Sequence, residues 1–182
     1  MEYKLIRSHR KTVSVRVTPE GEVEVRAPWL YARYKIEAFL RQKEPWIQVQ
    51  LRRRSAAARV QPLTAQEHQA LAETAKKWFS EKTAYYAPLV GVTYGRITIR
   101  TQHTRWGSCS AKGNLNFNCL LMLAPEAVRD YVVVHELCHR KEMNHSKAFW
   151  AHVERVLPDY RQSRKWLKDN GAALMAKRPD SE

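Results

Sequence analysis

Apolar and polar residues alternate along two short segments near the start of the chain. The alternation covers residues 12–17 and 22–26, with a Pro-Glu-Gly sequence at residues 19–21 between them. A period of two is typical of a β-strand with one buried face, and Pro and Gly between two such strands favour a turn. The pattern therefore predicts a β-hairpin that ends at Pro28.

Helical spacing of apolar residues follows the predicted hairpin. Ile36, Phe39 and Leu40 have this spacing, and Pro45 interrupts it just before a second apolar group that includes Ile47. Proline breaks the interior of a helix but fits its first turn. We therefore predict two helices that meet at Pro45.

The next part of the chain opens with a helix-start signal. Thr64 and Glu67 have the spacing of a capping box, in which each side chain accepts a hydrogen bond from the backbone of the other residue. Apolar residues then recur at helical spacing as far as Pro88. The pattern predicts a long amphipathic helix that ends before Pro88.

The rest of the chain combines strands with helices. Alternation predicts strands at residues 96–101 and 115–119, with a turn at Gly113 and Asn114 before the second strand. Further helices are predicted from their apolar spacing and start signals, and they cover residues 125–143, 146–156 and 159–168, with Asn170 and Gly171 as the final stop.

Together these elements predict an α+β fold with an N-terminal β-hairpin and helices before a larger domain. Residues 55–63 are rich in alanine and contain Pro62, so they are expected to join the two parts. We therefore expect a first unit at residues 1–61, a main domain at 62–176 and a frayed tail at 177–182.

Composition narrows the class of protein. Of the 182 residues, 44% are hydrophobic, which is enough for a core and excludes a wholly disordered chain. No apolar run approaches the roughly 18 residues of a membrane span, and the first residues lack the apolar core of a signal peptide. Three cysteines without metal-finger spacing are expected to be free thiols. We expect a cytoplasmic protein with no membrane partner.

Positive charge is concentrated near the start of the chain. The formal net charge is +14, and residues 1–61 carry 14 basic but only six acidic residues, including basic clusters at residues 7–11 and 52–54. Such a surface attracts polyanions, so nucleic acid is a candidate partner of the N-terminal unit. The alternative is a solvated face that keeps the protein soluble.

The main candidate for chemistry is the sequence His-Glu-Leu-Cys-His at residues 135–139. On a helix, His135 and His139 lie one turn apart on the same face, where two imidazoles can chelate one metal ion. Glu136 lies about 100° further around the helix, where its carboxylate can reach a water held on that metal. This geometry explains why HExxH recurs in zinc hydrolases, with the glutamate as general base.

A catalytic zinc site needs a third protein ligand and one open position. His145 follows His135 by ten residues, which is the spacing of the metzincin pattern HExxHxxGxxH. Glu154 and His152, in the next predicted helix, are the alternative third ligands.

The chain lacks the glycine that makes the sharp turn in the metzincin pattern. Glu142 stands in its place. Asn144 is the natural residue for the turn, because asparagine tolerates the left-handed conformation that ends a helix. We therefore expect Asn144 to adopt this conformation and His145 to fold back towards the first two ligands.

Residues 135–150, together with Thr-Arg-Trp-Gly-Ser-Cys-Ser at 104–110, look like the YgjP-like metallopeptidase domain family, a relative of the SprT-like and WLM zincins. The resemblance extends to residues 7–28 and 43–47, and so covers nearly the whole chain. It implies a short zincin fold, with an active-site helix against a small antiparallel sheet. It also implies one zinc ion and maps the family's metal ligands and base onto His135, His139, His145 and Glu136.

Three residues are candidate substrate contacts: Arg105, Trp106 and Asn116. Arg105 can bind an oxyanion or phosphate, and Trp106 precedes a predicted hairpin whose edge can bind an extended peptide. The alternatives are an ion pair for Arg105 and core packing for Trp106.

Three functions compete at this point. The first is a zinc-dependent peptidase that acts on peptide or protein. The second is a nucleotide-hydrolysing enzyme, because the resemblance includes family members described as UTP pyrophosphatases. The third is a nucleic-acid-associated binding protein with structural zinc, which fits less well because structural zinc sites use four protein ligands, often cysteines.

Overall fold

The computed structural model describes residues 2–18 and 20–179, which form five α-helices and two three-stranded β-sheets. The predicted α+β class is therefore confirmed. The chain divides into two compact units, residues 1–60 and 61–182. Among the described residues, no helix is long and apolar enough to cross a membrane. Position 19 of the predicted turn and residues 180–182 of the predicted tail lie outside the described residues.

The first unit contains a sheet with the strand order β1-β3-β2. Strands β2 and β3 pair antiparallel, which confirms the predicted hairpin. Strand β1 pairs parallel with the other edge of β3 and was not predicted, because its apolar residues do not alternate with polar ones. The strands are β1 (Lys4–Ser8), β2 (Ser14–Val17) and β3 (Val23–Pro28).

One helix, α1 (Arg33–Ala58), covers the sheet of the first unit. The prediction of two helices that meet at Pro45 is wrong, because Pro45 lies inside this continuous helix. Proline removes one helical hydrogen bond. Ile36 before it and Ile47 after it are both fully buried in the same core, and this burial keeps the two halves of the helix aligned.

The second unit begins with α2 (Ala65–Val90), whose capping box is confirmed. The Thr64 amide donates to the Glu67 carboxylate at 2.8 Å, and the Glu67 amide donates to the Thr64 hydroxyl at 3.3 Å. The helix continues past Pro88, contrary to prediction, and ends at Gly91 in the left-handed conformation. Ala87 and Val90 are buried, so packing stabilises the last turn despite the lost hydrogen bond.

The second sheet lies in this unit and has the strand order β4-β6-β5. The strands predicted at residues 96–101 and 115–119 are both present. The prediction of an antiparallel sheet is wrong in part. Strands β5 and β6 pair antiparallel, whereas β4 and β6 pair parallel. The chain reverses direction between β4 and β5 and again between β5 and β6. Strands β4 and β6 therefore run in the same direction. The strands are β4 (Ile97–Arg100), β5 (Gly107–Cys109) and β6 (Leu115–Asn118).

Three further helices complete the second unit: α3 (Glu126–Cys138), α4 (Lys147–Val156) and α5 (Tyr160–Met175). Helix α3 packs between α2 and α4 and under β5, and Phe79 of α2 stacks on Phe117 of β6 at 4.5 Å. Helix α5 continues through Gly171, which was predicted to stop it. Gly171 instead allows a close approach, because a Cβ atom there would lie 3.2 Å from the ring of Trp106.

Candidate metal centre

Helix α3 carries the first two histidines of the HExxH sequence at its C-terminal end. It ends at Cys138, earlier than predicted, and His139 occupies the C-cap in a right-handed helical conformation. The chain then turns through backbone bonds from Arg140 to Leu137 and from Lys141 to Cys138, both 3.0 Å long. The predicted left-handed turn at Asn144 is wrong, because no described residue other than glycine has a positive φ.

Three imidazoles meet beyond this turn. Possible ligand atoms of His135, His139 and His145 all lie within 4.8 Å of one another, and the Nε2 atoms of His135 and His145 are 3.0 Å apart. Zn–N bonds of about 2.0–2.1 Å place two ligand nitrogens roughly 3.3 Å apart around one tetrahedral ion. The three side chains therefore fit a single divalent metal.

Neighbouring groups orient each ring. The Nδ1 of His139 donates a hydrogen bond to the carbonyl of Glu142 at 3.0 Å. The electron pair of its Nε2 is therefore free to bind a metal ion. The hydroxyl of Tyr131 lies 3.5 Å from Nδ1 of His135. The ring of Trp150 stacks on His145 at 5.7 Å, so the exposed third imidazole also has a fixed neighbour.

The protein environment keeps two of these histidines neutral. Burial lowers the pKa of His135 to about 3, and repulsion from Arg164 and from the protonated forms of His139 and His145 acts in the same direction. Burial also lowers the pKa of His139. Neutral imidazole is the form that binds a metal ion.

Glu136 lies beneath strand β5 and is only 5% exposed. Burial raises its pKa to about 8, and the charge of Arg105 opposes this rise. The backbone of Gly107 passes directly over the carboxylate, because a Cβ atom at residue 107 would lie 2.6 Å from Oε1 of Glu136. Only glycine leaves room for the carboxylate at this position.

Strand β5 is an edge strand, and among the described residues it pairs with another strand, β6, on one side only. Trp106 and Ser110, at its two ends, bond through their backbones to the β6 side of the hairpin at 2.8 and 2.9 Å. In an antiparallel ladder, alternate residues direct their backbone groups to opposite sides. The amide and carbonyl groups of Gly107 and Cys109 therefore point away from β6.

The structure places the three predicted substrate contacts differently. Arg105 is exposed and close enough to Glu136 to influence its pKa. Trp106 is partly buried and packs against the hydrophobic core and Gly171. Asn116 bonds Ser108 at 3.1 Å and lies on the opposite sheet face from the core residue beside it in β6, so it is not brought to the three histidines.

The alternative third ligands are also elsewhere. Glu154 is exposed and pairs with Arg161 at 2.5 Å, and neither Glu154 nor His152 belongs to the histidine cluster. Sequence reasoning did not identify Gly107 or Trp150 as parts of the site. Both lie within the two stretches that carry the resemblance, but their contacts depend on tertiary packing.

The site therefore combines three imidazoles that could hold a metal ion, a buried glutamate beside them and an edge strand above the glutamate. The sequence model described as "YgjP-like, metallopeptidase domain" matches residues 63–170. The chain belongs to this YgjP-like family, as its sequence motifs suggested.

Curated proteins and solved structures say less about the chain than the family match does. No curated protein matches the chain. The crystal structure of the metallopeptidase zymogen of Pyrococcus abyssi abylysin is similar to part of it, with 23% sequence identity and a TM-score of 0.45. The similar region covers 50% of this chain and 93% of the abylysin chain.

Proposed function

We propose that this protein is a zinc-dependent peptidase with one zinc ion held by His135, His139 and His145. The observation that carries the proposal is the meeting of three imidazoles within 4.8 Å next to a buried glutamate. Three protein ligands leave a coordination position open, which is the arrangement of catalytic rather than structural zinc.

Glu136 is the general base in this proposal. When bound, zinc supplies an electrophile that polarises a substrate carbonyl and lowers the pKa of water. The carboxylate of Glu136 accepts a proton from the attacking water and delivers it to the leaving amine. A cation in the histidine cluster favours the charged carboxylate, against the effect of burial on the pKa of Glu136.

Strand β5 binds the substrate backbone in this proposal. The free amide and carbonyl groups of Gly107 and Cys109 can pair with an extended peptide as an additional strand. Gly107 also lies directly over Glu136, so a peptide on this edge runs past the proposed base. Trp106 anchors the start of β5 through its packing against the core, and Arg105 provides a positive charge near Glu136.

The Glu136→Gln variant tests this function. We expect it to bind zinc in the same 1:1 ratio as the unmodified protein, but to lose roughly 10²–10⁴-fold in casein hydrolysis because the proton acceptor is gone. Zinc content is measured by elemental analysis, and hydrolysis by peptide release.

Glu154→Gln is the matched control, because Glu154 pairs with Arg161 outside the histidine cluster. We expect this control to keep both zinc and activity. Full peptide release by Glu136→Gln would exclude Glu136 as the base. Release of pyrophosphate from UTP, without hydrolysis of any peptide, would replace the peptidase function with the nucleotide alternative.

A further inference from the structure

Arg164 of helix α5 lies at the rim of the histidine cluster. Its guanidinium carbon is 4.6 Å from the centre of the Trp150 ring. The same ring is 5.9 Å from His135 and 5.7 Å from His145. The Arg164 side chain is exposed, so its positive charge is accessible to a substrate in solution.

Arg105 provides a second positive charge from a different element. Its carbonyl accepts a hydrogen bond from the Asn118 side chain at 3.2 Å, which fixes its backbone two residues before Gly107. Its side chain is exposed and acts electrostatically on Glu136. The proposed base and the histidine cluster therefore each have an exposed arginine nearby.

These two arginines differ from others in the same unit. Among the described residues, neither the Arg105 nor the Arg164 guanidinium has a carboxylate partner or a hydrogen-bond acceptor. Several other arginines of the unit do have acceptors in the protein, namely Arg100, Arg140, Arg155, Arg161 and Arg178.

In the part of the chain that the structure describes, no ion pair joins the acidic residues around the centre to these two arginines. Glu136 is buried beneath β5, and Glu154 is paired with Arg161. Glu142 contacts His139 through its backbone carbonyl rather than its carboxylate. An exposed guanidinium binds a carboxylate through two parallel hydrogen bonds, and its positive charge attracts anionic substrates.

We propose that Arg105 and Arg164 make this centre select peptides with Asp or Glu side chains near the scissile bond. The inference rests on the proposed peptidase function and adds a substrate class to it. The two arginines are specificity residues that bind substrate carboxylates. Phosphate groups of a nucleotide offer the same anionic chemistry, so the test includes them separately.

The experiment compares three quenched fluorescent peptides that differ only in the residues flanking one scissile bond. These residues are acidic (Asp and Glu) in the first peptide, Ala in the second and Lys in the third. The full-length zinc-loaded protein is assayed with each peptide and with UTP. We expect kcat/KM for the acidic peptide to exceed that for the alanine peptide by about tenfold at low salt, and the ratio to fall as salt is added.

Substitutions then assign the preference. Arg105→Gln and Arg164→Gln should each lower the ratio of acidic to alanine kcat/KM, and the double variant should bring it to about one. Arg161→Gln is the matched control, since Arg161 lies on the same helix but already has a carboxylate partner. The control should keep the preference of the unmodified protein.

A binding measurement supplies a readout that is independent of turnover. Fluorescence anisotropy gives the affinity of each peptide for zinc-loaded Glu136→Gln protein, with and without the two arginine substitutions. Tighter binding of the acidic peptide, lost in the arginine variants, supports the inference.

The two proposals fail in different ways. Equal kcat/KM for all three peptides, or a preference that survives in the double variant, contradicts charge selection and leaves the peptidase intact. Hydrolysis of no peptide contradicts the peptidase itself. Hydrolysis of UTP alone assigns the arginines to phosphate instead and overturns the inference.

Discussion

At the scale of single residues, Gly107 leaves the space that the side chain of Glu136 occupies. A Cβ atom at residue 107 would lie 2.6, 2.7 and 2.9 Å from three side-chain atoms of Glu136. Atoms at such distances must move apart. The carboxylate can keep its position under β5 only if residue 107 has no side chain.

Gly107→Ala should therefore displace Glu136 while leaving the three histidines in place. We expect peptide hydrolysis to fall by about 10²-fold, because misplacement of a catalytic group by about 1 Å has an effect of this size. Zinc affinity, measured by competition with a chromogenic chelator, should be nearly unchanged.

Gly21→Ala is the control for this substitution, because nothing lies within 4 Å of a Cβ atom at residue 21. It should leave hydrolysis unaltered, although the positive φ of Gly21 makes the change mildly destabilising. Normal activity of Gly107→Ala would show that the carboxylate does not need this space.

Contacts within one helix of the site could be predicted from the sequence, whereas contacts between different elements could not. His135 and Glu136 lie in helix α3 and His139 is its C-cap in helical conformation, so sequence spacing alone predicts that they lie close together. Gly107 reaches Glu136 only because β5 packs over α3, and no local pattern encodes that contact. The expected left-handed Asn144 was wrong because ordinary backbone bonds after Cys138 already turn the chain.

At the scale of elements, strand and helix types were predicted well and helix ends were not. Pro45, Pro88 and Gly171 were each expected to end a helix, and each lies inside one. Local propensity was outweighed each time by packing of the following turn against a core. The parallel pairing of β4 with β6 was likewise beyond reach, because alternation gives a strand but not its partner.

The start of helix α4 links helix capping to the metal centre. Ser146 accepts a hydrogen bond from the Phe149 amide at 3.2 Å and directly follows His145. Ser146→Ala should destabilise the protein by about 1 kcal/mol, the usual effect of a lost N-cap. It should also weaken zinc binding, because the backbone next to His145 is then less well fixed.

Thr64→Ala provides the matched comparison, since Thr64 caps α2 away from the histidines. Its effect on the free energy of unfolding, measured with urea, should be similar, but its zinc affinity should be normal. Equal zinc affinities in the two variants would show that the α4 cap does not support His145.

At the scale of the whole molecule, each unit has a core of its own, and all three candidate metal ligands belong to the second. A ligand that binds only the folded state stabilises it, by about 2.7 kcal/mol when its concentration is 100 times Kd. Zinc should therefore raise the Tm of the second unit, and a chelator should reverse the increase.

Calorimetry of the full chain with zinc and with EDTA measures this effect. His145→Ala should remove most of the increase, whereas His152→Ala should retain it because His152 lies outside the cluster. The opposite result for these two variants would assign the third ligand to helix α4.

The contact between Gly171 and Trp106 ties the last helix to the loop that leads into the edge strand. The indole of Trp106 lies against the helix backbone at Gly171. A Cβ atom at residue 171 would lie only 3.2 Å from the indole ring. A bulkier residue in the helix requires the indole to move by a few tenths of an ångström or to be replaced by a smaller ring. These two positions are therefore expected to change size together during evolution, although 64 residues and two other α-helices separate them along the chain.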